Sequence, residues 1–127
     1  MKKHFFLKGS ERFKEIYKSG RRYSKKGIQL IVLNKNRNHT SPKNAKIAAV
    51  DKIDIKIGIS VNRKYGNAVR RNRAKRQLRA LCSEILPDME EGFHILLRPN
   101  DDFKHMEFHE SRKTVRDLFI KAGVLKQ

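Results

Sequence analysis

Residues 55–81 read IKIGISVNRKYGNAVRRNRAKRQLRAL, and a change of period inside this stretch decides the fold. Taken from two residues earlier, Ile53, Ile55, Ile57, Ile59 and Val61 alternate with Asp54, Lys56, Gly58 and Ser60. Period two with β-branched residues on one side predicts a half-buried strand over 53–61. Its other side, with Lys56, Gly58 and Ser60, carries small or polar residues that would let a ligand strand approach. Past the connection 62–66 the period lengthens. Ala74, Leu78, Leu81, Cys82 and Ile85 fall on one side of a helix turning about 100° per residue, which predicts a helix from about Ala68 to Leu86. That side is the core face, and Cys82 on it reads as a buried thiol.

Upstream, Ser10 suits an N-cap and Glu11 a first helical turn. Phe13, Ile16 and Tyr17 then fall at i, i+3 and i+4, and Gly20 ends a short helix over about 11–18. Residues 1–9 read as a basic arm, Arg21–Lys26 as a basic turn, and Ile28–Leu33 as a strand. Asn34–Asp51 reads as a long loop in which Ile47–Val50 can extend a strand. Downstream, Pro87 and Gly92 bracket a turn, Phe93–Arg98 forms a strand, and Pro99–Phe103 turns the chain. A last helix spans 106–122, with Phe108, Val115, Leu118, Phe119 and Ala122 on one side and Gly123 after its end. The order predicts one α+β domain over 1–127, a sheet with helices packed on one face. The central helix is a crossover if strand 93–98 lies parallel beside an earlier strand.

The chain has 127 residues, enough for one core. Its 31 Lys and Arg against 13 Asp and Glu leave a net charge of +18. Such an excess repels itself in the folded state and argues for a polyanionic partner, nucleic acid first and an anionic membrane surface second. A membrane-surface helix would set bulky apolar residues opposite its cations, but here Ala74, Leu78 and Leu81 belong to the core. No apolar run approaches the ~18 residues of a membrane span. Phe5, Phe6 and Leu7 are too few for the apolar region of a signal peptide. The lone Cys82 forms no internal disulfide, and the expected compartment is the cytoplasm.

From Ile55 through Ser83 there is no Asp or Glu, and eight of the eighteen residues 62–79 are Lys or Arg. Asn72, Arg76 and Arg79 lie opposite the core face, flanked by Arg73 and Lys75. Arg70 and Arg71 occupy the first turn, where the helix dipole disfavours cations. Phosphates approaching the helix start would reverse that penalty. Arg outnumbers Lys, which favours bidentate phosphate contact. The plain alternative is a solvated basic face. Phe13 and Tyr17 are either core or a platform for stacking on unpaired bases, and the sequence leaves both readings open. Asp88, Glu90, Glu91, Asp101 and Asp102 read as solvated turn residues, so the chain offers no catalytic constellation and no evident metal site of its own. His105 and His109, at i and i+4, could share a metal only on one helix face.

The segment 55–81 resembles the bacterial ribonuclease P protein subunit. The matching residues are Gly58, Ser60, Val61, Arg63, Lys64, Gly66, Asn67, Ala68, Val69, Arg71, Asn72, Arg73, Lys75, Arg76 and Arg79. Phe13, Ile16, Tyr17 and Gly20 fit the family's N-terminal pattern. The resemblance implies a sandwich of a four-stranded sheet and three helices in the order αβββαβα, with a left-handed βαβ crossover around the basic helix. It implies a subunit that helps a catalytic RNA cleave the 5′ leader from precursor tRNA, with Mg²⁺ bound mainly by the RNA and no obligate protein partner. The catalytic RNA would meet Arg70, Arg71, Asn72, Arg73, Lys75, Arg76 and Arg79. A cleft would take the single-stranded leader at Phe13, Tyr17, Ser60, Arg63 and Lys64. The chain departs from the family in three places: Ile31 stands where many members carry an aromatic, Arg63 replaces the first of two lysine-like residues, and the 34–51 loop is long.

Overall fold

The apolar runs LIVL at 30–33 and ILL at 95–97 are continuous rather than alternating, which is the pattern of strands buried on both faces. The computed structural model describes residues 10–34 and 55–126. The arm 1–9, residues 35–54 of the long connection with Ile53, and the capping side chain of Ser10 lie outside the described residues. The elements are α1 (Ser10–Ser19), β1 (Arg21–Lys25), β2 (Ile28–Asn34), β3 (Lys56–Ile59), α2 (Ala68–Ile85), β4 (Phe93–Pro99) and α3 (Phe108–Ala122). They form an α+β sandwich in the order αβββαβα. The strand order is β1-β2-β4-β3. β2 pairs antiparallel with both β1 and β4, while β3 joins β4 in parallel, with α2 as the crossover between them.

Side chains alternate between the two faces of this sheet. Ile28, Leu30, Val32, Ile57, Ile95 and Leu97 pack with the apolar sides of α2 and α3 in the main core. The intervening Ile31, Leu33 and Leu96 pack with Ile16 and Phe13 of α1 in a second, smaller core. Helices therefore cover both faces, not the single face expected. Ile31, Leu33 and Leu96 are buried on the face that α2 and α3 cannot reach, and α1 supplies their cover.

Arg21–Lys25 is the fourth strand, not a turn. Its residues are exposed except for the half-buried Tyr23, and its partner β2 supplies the apolar surface. The hairpin reverses at Lys26, whose φ of 47° is left-handed, and Gly27. A Cβ on Gly27 would lie 2.5 Å from the Phe103 nitrogen. That closeness allows the Asn100 N–H to donate to the Gly27 carbonyl at 2.8 Å and the Asn100 side-chain amide to the Lys26 carbonyl at 3.2 Å. The hairpin is thereby fastened to the turn that follows β4.

α2 buries the five residues expected of it, Ala74, Leu78, Leu81, Cys82 and Ile85. Burial pushes the Cys82 thiol up to about 12, so it is inert packing. α3 buries Val115, Leu118 and Phe119 but not Phe108. Phe108 stands at the first residue of the helix, where the buried face has run out, and its exposed ring lies 4.9 Å from the Arg112 guanidinium. Among the described residues, no helix is long and apolar enough to cross a membrane.

Candidate nucleic-acid interfaces

Asn67 starts the basic helix. Its side-chain oxygen accepts the Arg70 N–H at 2.9 Å, capping α2 where no acid stands in the first turn. With the core face fixed by Leu78 and Leu81, the other residues distribute themselves. Arg70, Asn72, Arg73, Arg76 and Arg79 are exposed, while Arg71 and Lys75 are half-buried along one flank. Val69, 75% exposed, adds an apolar spot beside the arginines. The seven residues expected to meet RNA thus lie on one helix, with the first turns open to solvent.

The second surface lies on the opposite sheet face, beside α1. Ile16 is fully buried in the second core, and Tyr17 is 41% exposed. Phe13 is half-buried and lies on Gly58, where a Cβ would come within 2.5 Å of its ring. Gly58 is therefore covered by Phe13, whereas the sequence predicts it open to a ligand strand. A groove of roughly 450 Å³ is lined by Phe13, Tyr17, Ser60, Leu96 and Arg98, with Lys14 and Lys18 at its margin.

Register explains the groove's floor. Arg22, Ile31, Leu96 and Gly58 form one row across the sheet, roofed by α1. The next row on the same face is Ser24, Gln29 and Arg98, continued by Ser60, whose N–H donates to the Leu97 carbonyl at 2.9 Å. This row is polar throughout. It leads into an adjoining groove lined by Asn62, Lys64, Arg98 and Asn100. Phe13, Tyr17, Ser60 and Lys64 are thus brought to one continuous surface with Arg98 at its centre. Arg63 is exposed in the turn after β3 but lines neither groove.

Arg98 and Arg22 escaped the sequence reading, and both bear on Tyr17. The Arg22 guanidinium sits 4.2 Å from the ring centroid and that of Arg98 5.0 Å. A hydrogen bond from Arg98, then the charge of Arg22, holds the Tyr17 hydroxyl below its ordinary pKa. An aromatic ring, two guanidiniums and a hydroxyl floor suit an unpaired nucleotide better than a duplex. Ile31 is fully buried beneath α1 and takes no part. His105 ends a short 3-10 turn, whereas His109 lies in α3, so the pair does not share a helix face.

The family profile for ribonuclease P matches residues 1–123. The chain belongs to the ribonuclease P protein family. It is 31% identical over 126 residues to the ribonuclease P protein component of Oceanobacillus iheyensis, covering 99% of this chain and 93% of that one. It is 30% identical to that of Symbiobacterium thermophilum, covering 100% and 98% of the two chains. The RNase P protein of Staphylococcus aureus superposes with a TM-score of 0.75 at 21% identity, over 96% of this chain and 98% of that one. The RNase P protein of Thermotoga maritima gives 0.68 at 22%, over 88% and 92%. This ribonuclease P protein shares their fold of three helices and a four-stranded mixed sheet.

Proposed function

We propose that this chain is the protein subunit of a ribonuclease P ribonucleoprotein, seating the catalytic RNA on α2 and the single-stranded 5′ leader of precursor tRNA in the groove beside α1. The observation that carries this reading is the separation of two unlike cationic surfaces on opposite sheet faces. One is a row of guanidiniums on a helix with no acid in its first turn. The other combines the Tyr17 ring with Ser60 and Arg98. The first suits the phosphates of a folded RNA, and the second suits unpaired bases. On this reading Arg70, Arg71, Arg73, Lys75, Arg76 and Arg79 neutralise phosphates and Asn72 supplies a hydrogen-bonding amide. Tyr17 stacks on a leader base after Arg22 or Arg98 gives way, Phe13 holds α1 against the sheet, and Arg98 and Lys64 take leader phosphates. Arg63 lies at the edge of this path.

Hydrolysis belongs to the RNA partner on this reading, and Mg²⁺ would be held mainly by that RNA. Among the described residues, no three His, Cys, Asp or Glu side chains gather as metal ligands, and no step is assigned to a metal on this chain. The protein's cations replace part of the ions that screen RNA phosphates, lowering the Mg²⁺ requirement. The assembly would act in the cytoplasm, with neither a membrane nor an obligate protein partner.

The test measures binding of precursor and mature tRNA by the reconstituted particle. Stacking contributes ~1–3 kcal/mol per base, so Tyr17→Ala should weaken precursor tRNA by roughly 5- to 150-fold and leave mature tRNA and the melting temperature unchanged. An equal loss on both substrates would refute the leader groove. Cleavage of precursor tRNA by RNA-free protein would refute the division of labour.

A further inference from the structure

The Asp101–His105 turn faces α2 across a groove at the edge of the first surface, on a flank of the helix that meets this turn. Arg70, Arg73 and Gln77, at i, i+3 and i+7, form one wall, and Lys104 and His105 form the other. Tyr65 and Phe103 are buried alongside it. The Lys104 ammonium lies 4.8 Å from the Tyr65 ring centroid and 3.1 Å from the Asp101 carboxylate. Its position is therefore set by two partners, an unusual restraint for a surface lysine. Burial and then the Asp101 carboxylate push the Tyr65 hydroxyl up, while Arg73 pulls it down. The Arg73 guanidinium of α2 and the Asp101 carboxylate of the turn thus both lie near the Tyr65 phenol.

We infer that this groove holds a phosphate of the RNA seated on α2, so that the RNA-binding face continues around the helix onto the 101–105 turn. The inference rests on the RNA reading of α2. Arg70 and Arg73 supply planar donors that match phosphate oxygens, and Lys104 supplies a point charge. The Asp101 side chain, 80% exposed, is the anion that Lys104 holds without RNA. A phosphate replaces it, and counterions leave the RNA. Nothing in the 55–81 motif points to Lys104, because the turn reaches α2 only through the fold.

The test is assembly with an in vitro transcribed bacterial ribonuclease P RNA, with affinity followed against salt. Lys104→Ala/His105→Ala should flatten the log–log slope by roughly one unit and weaken binding severalfold. Asp101→Asn removes the competing carboxylate and should tighten binding severalfold. If the Asp101–Lys104 pair merely braces the turn, both variants lower the melting temperature and both weaken binding, and the inference falls. Arg76→Ala/Arg79→Ala serves as the reference for α2. A flattened slope there with an unchanged slope for the Lys104 variant overturns the groove and leaves α2 as the RNA face. An unchanged slope in both removes the α2 reading and the groove with it.

Discussion

α2 and α3 cover the same sheet face and both carry many cations, yet they use them differently. On the α3 side several cations are paired, although Lys113 and Lys121 of that helix make no ion pair among the described residues. Lys25 reaches Asp117 at 2.5 Å, Lys26 reaches Glu110 at 3.9 Å, and Arg116 reaches Asp88 at 3.7 Å. Arg112 makes two 2.9 Å hydrogen bonds to Glu84, tying α3 to the end of α2. Among the described residues, no ion pair involves Arg70, Arg71, Arg73, Lys75 or Arg76. A net charge of +18 therefore says that a polyanion is wanted but not where it goes. The distribution of the few acids says where. They brace one helix against the hairpin and the other helix, and none stands in the first turn of α2, where the proposed function seats the RNA.

Four substitutions test this contrast, in descending size of effect. Leu78→Ala empties a fully buried position on α2 and should cost ~2–5 kcal/mol of stability, read by denaturant unfolding. Wild-type stability in this variant would mean the helix does not pack as described. Arg76→Ala/Arg79→Ala, on the outer face of that helix, should leave unfolding unchanged. It should weaken catalytic-RNA binding roughly 100-fold, from ~1.5 kcal/mol per charged hydrogen bond, with a salt slope shallower by roughly two units. On α3 the pattern should invert. Arg112→Ala breaks a partly exposed pair and should lower stability by ~0.2–1 kcal/mol while RNA affinity and salt slope stay put. A loss of RNA affinity there would erase the distinction between the helices.

The smallest effect is a pH dependence. The Lys25 hydrogen bond holds the Asp117 carboxyl below its ordinary pKa. A carboxyl lowered in the folded state contributes stability above its unfolded pKa of about 3.9. That contribution is lost as pH falls through the lower folded value. Lys25→Met should therefore be less stable than wild type at pH 6, and the gap should close toward pH 2. A gap that stays constant or widens on acidification would assign the difference to something other than this pair.

Much of this architecture was legible in residue order. Ala74 to Ile85 on α2 recur at helical spacing, so both faces of that helix follow from geometry alone. β1 was hidden because its residues, RRYSK, carry no alternation that a core would impose; its apolar surface belongs to β2. Its hairpin lacks an Asn-Gly or Asp-Gly signal and reverses through Lys26 and Gly27 instead. The cover on both faces was readable in the unbroken LIVL (30–33) and ILL (95–97) runs, but the alternating strand 53–61 drew attention to one face. Tyr17, Phe13, Ser60 and Lys64 converge as expected from the resemblance, whereas Arg98 does not stand out in sequence. An arginine at the end of an apolar strand looks like a boundary marker. Only the pairing of Gln29 with Arg98 places it on the row with Ser24 and Ser60. Phe108 kept its place on the helical stripe but fell beyond the buried stretch.

Among the described residues, the strand order leaves β1 and β3 as the two rims of the sheet. An open rim presents unpaired amides and carbonyls, an invitation to add strands from another molecule and begin aggregation. Neither rim makes a good template. β3 is only four residues long, and β1 sets Arg21, Arg22 and Lys25 along its length. A second copy adding alongside β1 in the antiparallel sense would set those like charges against one another. The cationic excess that suits an RNA partner thus also opposes the addition of a second copy along β1.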